Sequence, residues 1–319
     1  MNTGKRIANF QSVINDNQTL KRLNHLNKPG SFPCETIMTD DKLEKIPGLS
    51  LAERGMVAKY EHDEINSYGY RGPEFKNGNS VLYLGCSQTW GVSIKEEHIL
   101  WPSLLNKKTN LTYSNLAVPG NSVQSQVIKA FQYFKEFGNP EIIIGMFPFA
   151  RFEFPYISDK IVFKTLQPSV YLSENPNIYF GDVHVPYDLN KDDKKNTFTK
   201  TPHDMMEIFP IEVALYYNNI FISMLEQYCE SNNIKFLWSF WEAVDPIADN
   251  LLKEKYKSYF SFPLEMHNNI PKALKDEYFQ SLVNEYEAKD NFSVAPDGCH
   301  FGIGKHIVIA DEIYYNLNI

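Results

Sequence analysis

Residues 81–91 read VLYLGCSQTWG. Four apolar or aromatic residues run into Gly85, Ser87 follows two places later, and Gly91 closes the stretch. A serine hydroxyl becomes a useful nucleophile only when a base takes its proton and a third group orients that base. The chain has 8 histidines to supply the base. Near the C-terminus, VAPDGCHFGIGKH sets Asp297 three residues before His300 in a loop rich in Pro and Gly. One tight turn at that spacing can aim both side chains the same way, so that the carboxylate fixes the imidazole tautomer. Ser87, His300 and Asp297 are the expected nucleophile, base and orienting acid. Each signal also has a plainer reading. A serine in a strand-to-helix turn commonly caps the helix, and an Asp-x-x-His pair often only bonds within its own loop.

The elements that would position these residues can be read from the pattern of apolar positions. Residues 81–84 are a continuous apolar run, as expected of a strand covered on both faces, and 111–116, 141–146 and 234–238 read as further strands. Between them, 122–137 carries Val123, Val127, Ala130, Phe131, Phe134 and Phe137 on one helical face. Residues 97–106 read as a partial helix interrupted by Pro102; 211–229 and 305–317 read as full helices, and 246–289 as mainly helical. This alternation predicts an α/β fold, a three-layer α/β/α flavodoxin-like sandwich with a mostly parallel sheet. Ligands bind such sheets beyond the carboxyl ends of the strands, where Ser87, Gly120 and Phe147-Pro148 are expected.

With these blocks in view, the chain resembles the SGNH (GDSL-like) hydrolases over roughly residues 80–317. GCSQTWG is similar to the family's first block, G-D-S-x-T/S-x-G. NLAVPGNS is similar to the second and PDGCH to the last, D-x-x-H, before a C-terminal helix. The resemblance implies that Ser87 attacks, that His300 and Asp297 act as base and orienter, and that the amides of Ser87 and Gly120 hold the oxyanion. The α/β-hydrolase alternative fits less well, because Thr89 stands where its nucleophile elbow needs a second glycine. Two departures stand out. Cys86 replaces the family's aspartate before the serine. Where the third block should read G-x-N-D, the chain reads GMFPFAR, so the family's third oxyanion donor, an asparagine, is missing. Asn121 and Arg151 are the candidates to replace it.

Other residues extend the site on sequence grounds. NSYGYRG brings Tyr68 and Arg71 just before the first strand, where either lines a pocket or the segment only packs on the sheet. Trp90 and Trp241 fall near the expected active edge, and an aromatic platform there could stack on a sugar. Tyr68, Arg71, Trp90 and Arg151 are thus the substrate-binding candidates. His184, His203 and Asp204 lack metal-ligand spacing, so no metal and no cofactor is expected.

Bulk composition narrows the partners. A net charge of −8 argues against nucleic acid or an anionic membrane surface. The four cysteines form no CxxC pair, which argues against a disulfide framework or a zinc knuckle. The N-terminus lacks the apolar core of a signal peptide and no stretch approaches a membrane span, so a soluble, cytoplasmic protein is the default. Non-classical export or incorporation into a virion would leave no mark. Residues 1–75 read as an N-terminal extension packed on a main domain of 76–319, with a large insert at about 150–209 in the position of a lid or binding loop. The resulting expectation is a serine esterase cleaving a small acyl group, acetyl foremost, from a carbohydrate. An O-acyltransferase using the same triad, and a degenerate carbohydrate-binding or structural module, stay open as alternatives.

Overall fold

The computed structural model describes residues 65–148, 151–157, 161–166, 211–241, 246–262, 274–296 and 300–318. The chain runs through β1 (Val81–Gly85), α1 (Ser87–Trp90), a single 3₁₀ turn (Glu97–Ile99), α2 (Trp101–Thr109), β2 (Tyr113–Asn115) and α3 (Val123–Phe137). There follow β3 (Ile142–Phe147), β4 (Phe152–Ile157), β5 (Ile161–Leu166), α4 (Ile211–Ser231) and β6 (Lys235–Phe240). Helices α5 (Pro246–Lys255), α6 (Glu277–Tyr286) and α7 (Ile303–Leu317) complete the described elements.

Strands β1, β2, β3 and β6 form a parallel sheet in the order β2-β1-β3-β6. Their alternation divides the interior in two, because successive side chains on a strand point to opposite faces. Leu82 and Leu84 of β1, Ile143 and Phe147 of β3, and Phe236, Trp238 and Phe240 of β6 share one core with α3, α4 and α5. Val81, Tyr83, Ile142, Ile144 and Met146 share the other with α2, α6 and α7. The result is a small parallel sheet covered by helices on both faces, the three-layer α/β/α arrangement that continuous apolar strands require.

The local signals explain the element ends. Ser122 Oγ accepts from the Ser125 N–H at 3.1 Å and opens α3, while Gly138 at φ 80° closes it. Pro102 does not interrupt its helix. It occupies the first turn of α2, where the missing N–H is no loss. The segment expected as an aperiodic insert begins with an antiparallel pair, β4 with β5, in register from Phe152↔Leu166 to Ile157↔Ile161. The rest of that insert lies outside the described residues, as does the N-terminal extension up to residue 64. Within residues 65–75, Tyr70 and Phe75 pack into the same core as α3.

Two histidines lie in the C-terminal stretch, and packing separates their roles. His306 in α7 is buried, and its Nδ1 accepts from the main-chain N–H of Trp101 at 3.4 Å, at the start of α2. Burial, with the charge of Arg71 and then His300, lowers the pKa of His306 to about 3. The imidazole is therefore a neutral structural acceptor. In the unfolded chain it titrates near 6.5. The fold refuses a proton that the unfolded chain accepts, so stability should fall as pH drops from about 6.5 toward about 3, by up to about 1.4 kcal/mol per unit. His306→Asn keeps an acceptor near the Nδ1 position and removes the titration. Urea unfolding at about pH 7.5 and about pH 4.5 should show a smaller pH penalty in this variant than in the natural chain; equal penalties would contradict the assignment.

Candidate functional site

The carboxyl ends of the parallel strands meet along one edge of the sheet. β1 lies between β2 and β3, at the point where the strand order reverses, which is where open α/β sheets bind ligands. Ser87 follows β1 there. It is the first residue of α1 and not its cap: Cys86 holds the N-cap position without a side-chain capping bond. Among the described residues the Ser87 hydroxyl has one side-chain hydrogen-bond partner, Cys86 Sγ at 3.9 Å. Its main-chain N–H belongs to the first turn of the helix, where no intrahelical acceptor exists.

Steric demands explain the glycines around it. A Cβ on Gly85 would lie 2.0 Å from Thr89 Oγ1 and 3.0 Å from the Met146 carbonyl, so the G-x-x-x-T spacing is a packing requirement. Gly91 takes φ +79° as the C-cap of α1, and a Cβ there would meet Leu100 at 2.3 Å. Arg71 fastens the following loop. Its Nη1 donates to the carbonyls of Trp90 (3.1 Å) and Gly91 (2.8 Å), and its Nη2 to those of Ile94 (2.8 Å) and Lys95 (3.3 Å).

His300 approaches from the far end of the chain. The Phe301 N–H donates to Gln88 Oε1 at 2.9 Å, a buried bond across 213 residues. The residue after the serine and the residue after the histidine are thereby joined directly. Around His300 the backbone is pinned: its carbonyl accepts from the Ala295 N–H at 3.0 Å, and Val294 and Phe301 form an antiparallel bridge. The first amides of α7 are satisfied nearby, with Ile303 N–H donating to Asn291 (3.0 Å) and Gly304 N–H to Phe292 (2.8 Å). Gly302 permits this, since a Cβ there would stand 2.5 Å from both the Asn291 and the Phe292 carbonyls. Asp297 lies outside the described residues.

The turn after β2 supplies further donors. Its Val118 N–H reaches the Gly85 carbonyl at 3.4 Å, and Ala117 packs against Trp90, so this turn sits beside the serine turn. Gly120 takes φ 78°, and its N–H donates to no main-chain carbonyl of the described residues. Asn121 is 9% exposed, and among the described residues its buried Nδ2 has no hydrogen-bond partner. From α3, Gln126 Oε1 accepts from the Gly85 N–H at 3.0 Å and braces the end of β1.

Past β3 comes Arg151, whose guanidinium carbon lies 5.8 Å from the Trp241 ring centroid. Trp241 follows β6, and its ring meets Phe301 at 6.0 Å in an edge-on contact. Ser87, Asn121, Arg151, Trp241 and His300 therefore all belong to one end of the sheet.

Three of the residues expected to bind substrate have described contacts within the fold. Arg71 is 1% exposed and directs its donors to main-chain carbonyls, so it positions the serine turn. Trp90 is fully buried against Val92 and Ala117. Tyr68 donates to Glu136 and packs on Phe75 and Phe137, at the C-terminal end of α3. At 1.5 Å per residue, that is about 20 Å along the helix from the end where Asn121 stands. Sequence reading missed Gln88 and Gln126. Both are polar residues at unmarked positions, and only the fold reveals which amides they meet.

Among solved structures the chain is similar to the psychrotrophic esterase EstA from Pseudoalteromonas sp., inhibited by monoethylphosphonate. The TM-score is 0.36 at 10% identity, over 75% of this chain and 97% of that one. Neither a family model nor a curated protein matches the sequence.

Proposed function

We propose that this chain is a serine ester hydrolase of the SGNH type, with Ser87 as nucleophile, His300 as base and Asp297 as the acid that orients it. The observation that carries this reading is the Phe301–Gln88 hydrogen bond, which ties the histidine segment to the serine turn. An uncapping, otherwise uncommitted hydroxyl on Ser87 supports it further.

In the first half-reaction His300 takes the Ser87 proton as Oγ bonds to the ester carbonyl carbon. The oxyanion that forms is received by the N–H groups of Ser87 and Gly120 and by Asn121 Nδ2. As the tetrahedral centre collapses, the carbon–alkoxide bond breaks and His300 delivers its proton to the departing alcohol. Water then repeats the sequence on the acyl-enzyme and releases the acid. Ser87 is only 6% exposed, which favours a narrow acyl group such as acetyl. The Asn121 amide stands in for the asparagine that the third block lacks. It is buried without a partner, a costly state unless an acceptor arrives during the reaction.

A fluorophosphonate probe should label the natural protein and leave Ser87→Ala unlabelled, with hydrolysis of 4-nitrophenyl acetate lost in parallel. Labelling without hydrolysis would replace the esterase by an acyltransferase, and absence of labelling would remove the nucleophile altogether. Asn121→Ala should lower kcat by about 10²–10³ with little change in KM, as expected for a donor that acts mainly in the transition state. Unchanged kcat would dismiss Asn121 from the oxyanion hole.

A further inference from the structure

An asparagine can modify itself where its side-chain carboxamide meets the next main-chain nitrogen, and a small following residue lets the two approach. Asn77-Gly78 is the one Asn-Gly pair in the chain, and Asn66, Asn79 and Asn121 each precede a serine. The fold treats these four asparagines differently.

Three of them are held. Asn66 is 6% exposed; its Oδ1 accepts from the N–H groups of Tyr68 and Tyr70, both at 3.0 Å, and its Nδ2 donates to the Pro73 carbonyl at 3.1 Å. Asn79 Nδ2 donates to the Tyr113 carbonyl at 3.0 Å and to Ser114 Oγ at 2.8 Å, both on β2. Asn121 is buried beside the serine turn. A bonded or enclosed carboxamide cannot swing onto its neighbour's nitrogen without giving up those contacts.

Asn77 is the exception. It is exposed, and among the described residues its side chain makes no hydrogen bond. With Gly78 it forms the centre of a turn before β1, in which the Asn79 N–H donates to the Lys76 carbonyl at 3.4 Å. Gly78 takes φ +81° and Asn77 takes no positive φ, the pattern of a type II turn. One long hydrogen bond is a weak hold on that conformation. The Gly78 N–H donates to no main-chain carbonyl of the described residues, and no atom lies within 4 Å of where a Gly78 Cβ would stand. The nitrogen is unshielded, and the turn has room to open.

We infer that Asn77 is a site of spontaneous deamidation and that the folded chain accumulates isoaspartate there. The Gly78 amide nitrogen bonds to Asn77 Cγ, the Cγ–Nδ2 bond breaks, and Nδ2 leaves as ammonia with the Gly78 amide proton. Water then opens the five-membered imide. Opening at the main-chain carbonyl of Asn77 leaves Gly78 attached through Cγ, which is isoaspartate; opening at Cγ gives aspartate. Either product adds a carboxylate to a chain of net charge −8. Isoaspartate also lengthens the main chain by one carbon, which a turn facing solvent can take up. The turn stands at the N-terminal end of β1 and Ser87 lies past the other end, a strand of 5 residues or about 17 Å away. The modification therefore leaves the proposed chemistry alone, and the inference does not depend on it.

The test uses the full chain at mildly alkaline pH, folded in buffer and, in parallel, unfolded in guanidinium chloride, with its fragments followed by mass spectrometry. In the folded chain Asn77 should convert nearly as fast as in the unfolded one, while Asn66, Asn79 and Asn121 fall well behind their unfolded rates. The fragment that carries Asn77 should split into isoaspartyl and aspartyl forms. The first should accept a methyl group from S-adenosylmethionine through an isoaspartyl methyltransferase. Asn77→Gln, at a side chain with no described contact, should abolish methylation of that fragment. An Asn77 that stays intact in the folded chain would overturn the inference. So would methylation of the fragment that survives Asn77→Gln, or a folded Asn66, Asn79 or Asn121 that reacts at its unfolded rate.

Discussion

One buried hydrogen bond carries much of the structure's consequence: the N–H of Phe301 donates to Gln88 Oε1 at 2.9 Å. Its partners belong to segments 213 residues apart, each pinned on its own side. On one side, Gly85 interlocks with Thr89 and Met146, and Arg71 holds the carbonyls that follow α1. On the other, the main chain of 291–294 closes over Gly302 and bridges to Phe301. Two rigid turns joined by a desolvated bond vary little in separation, because an interior hydrogen bond is expensive to leave unmade. If Ser87 and His300 act as the proposed nucleophile and base, this restraint sets their separation.

The electrostatics of the sheet end follow from where polar groups are left open. The first-turn N–H of Ser87, the Gly120 amide, Asn121 Nδ2 and Trp241 Nε1 are donors, and the neighbouring ionised side chains with described contacts to the Trp241 and Phe301 rings, Arg151 and Lys305, are cations. Open donors in the interior are destabilising in the resting state. They are useful where negative charge develops, as at an oxyanion.

The two histidines illustrate how burial assigns different tasks to the same side chain. His306 is enclosed, held neutral and bonded to the start of α2, so it contributes to folding. His300 is partly exposed. They lie six positions apart in the sequence.

Taken alone, the sequence determined the sheet and the edge at which its strands end. Apolar runs long enough to be covered on both faces specify parallel strands, and their helical spacers specify the layers, because backbone hydrogen bonding and burial act locally at periods of 2 and 3.6. The glycines of GCSQTWG were legible for the same reason: a close approach tolerates no Cβ, whatever surrounds it. Tertiary structure decided which polar side chains face the site. Arg71 and Tyr68 share one short segment, yet the first clamps carbonyls beneath the serine turn and the second bonds Glu136 at the far end of α3. Trp90 and Trp241 look alike in sequence, but one is enclosed by Val92 and Ala117 while the other stacks beneath Arg151. Long polar and aromatic side chains fit many environments, so their partners are set by long-range packing that no local pattern encodes.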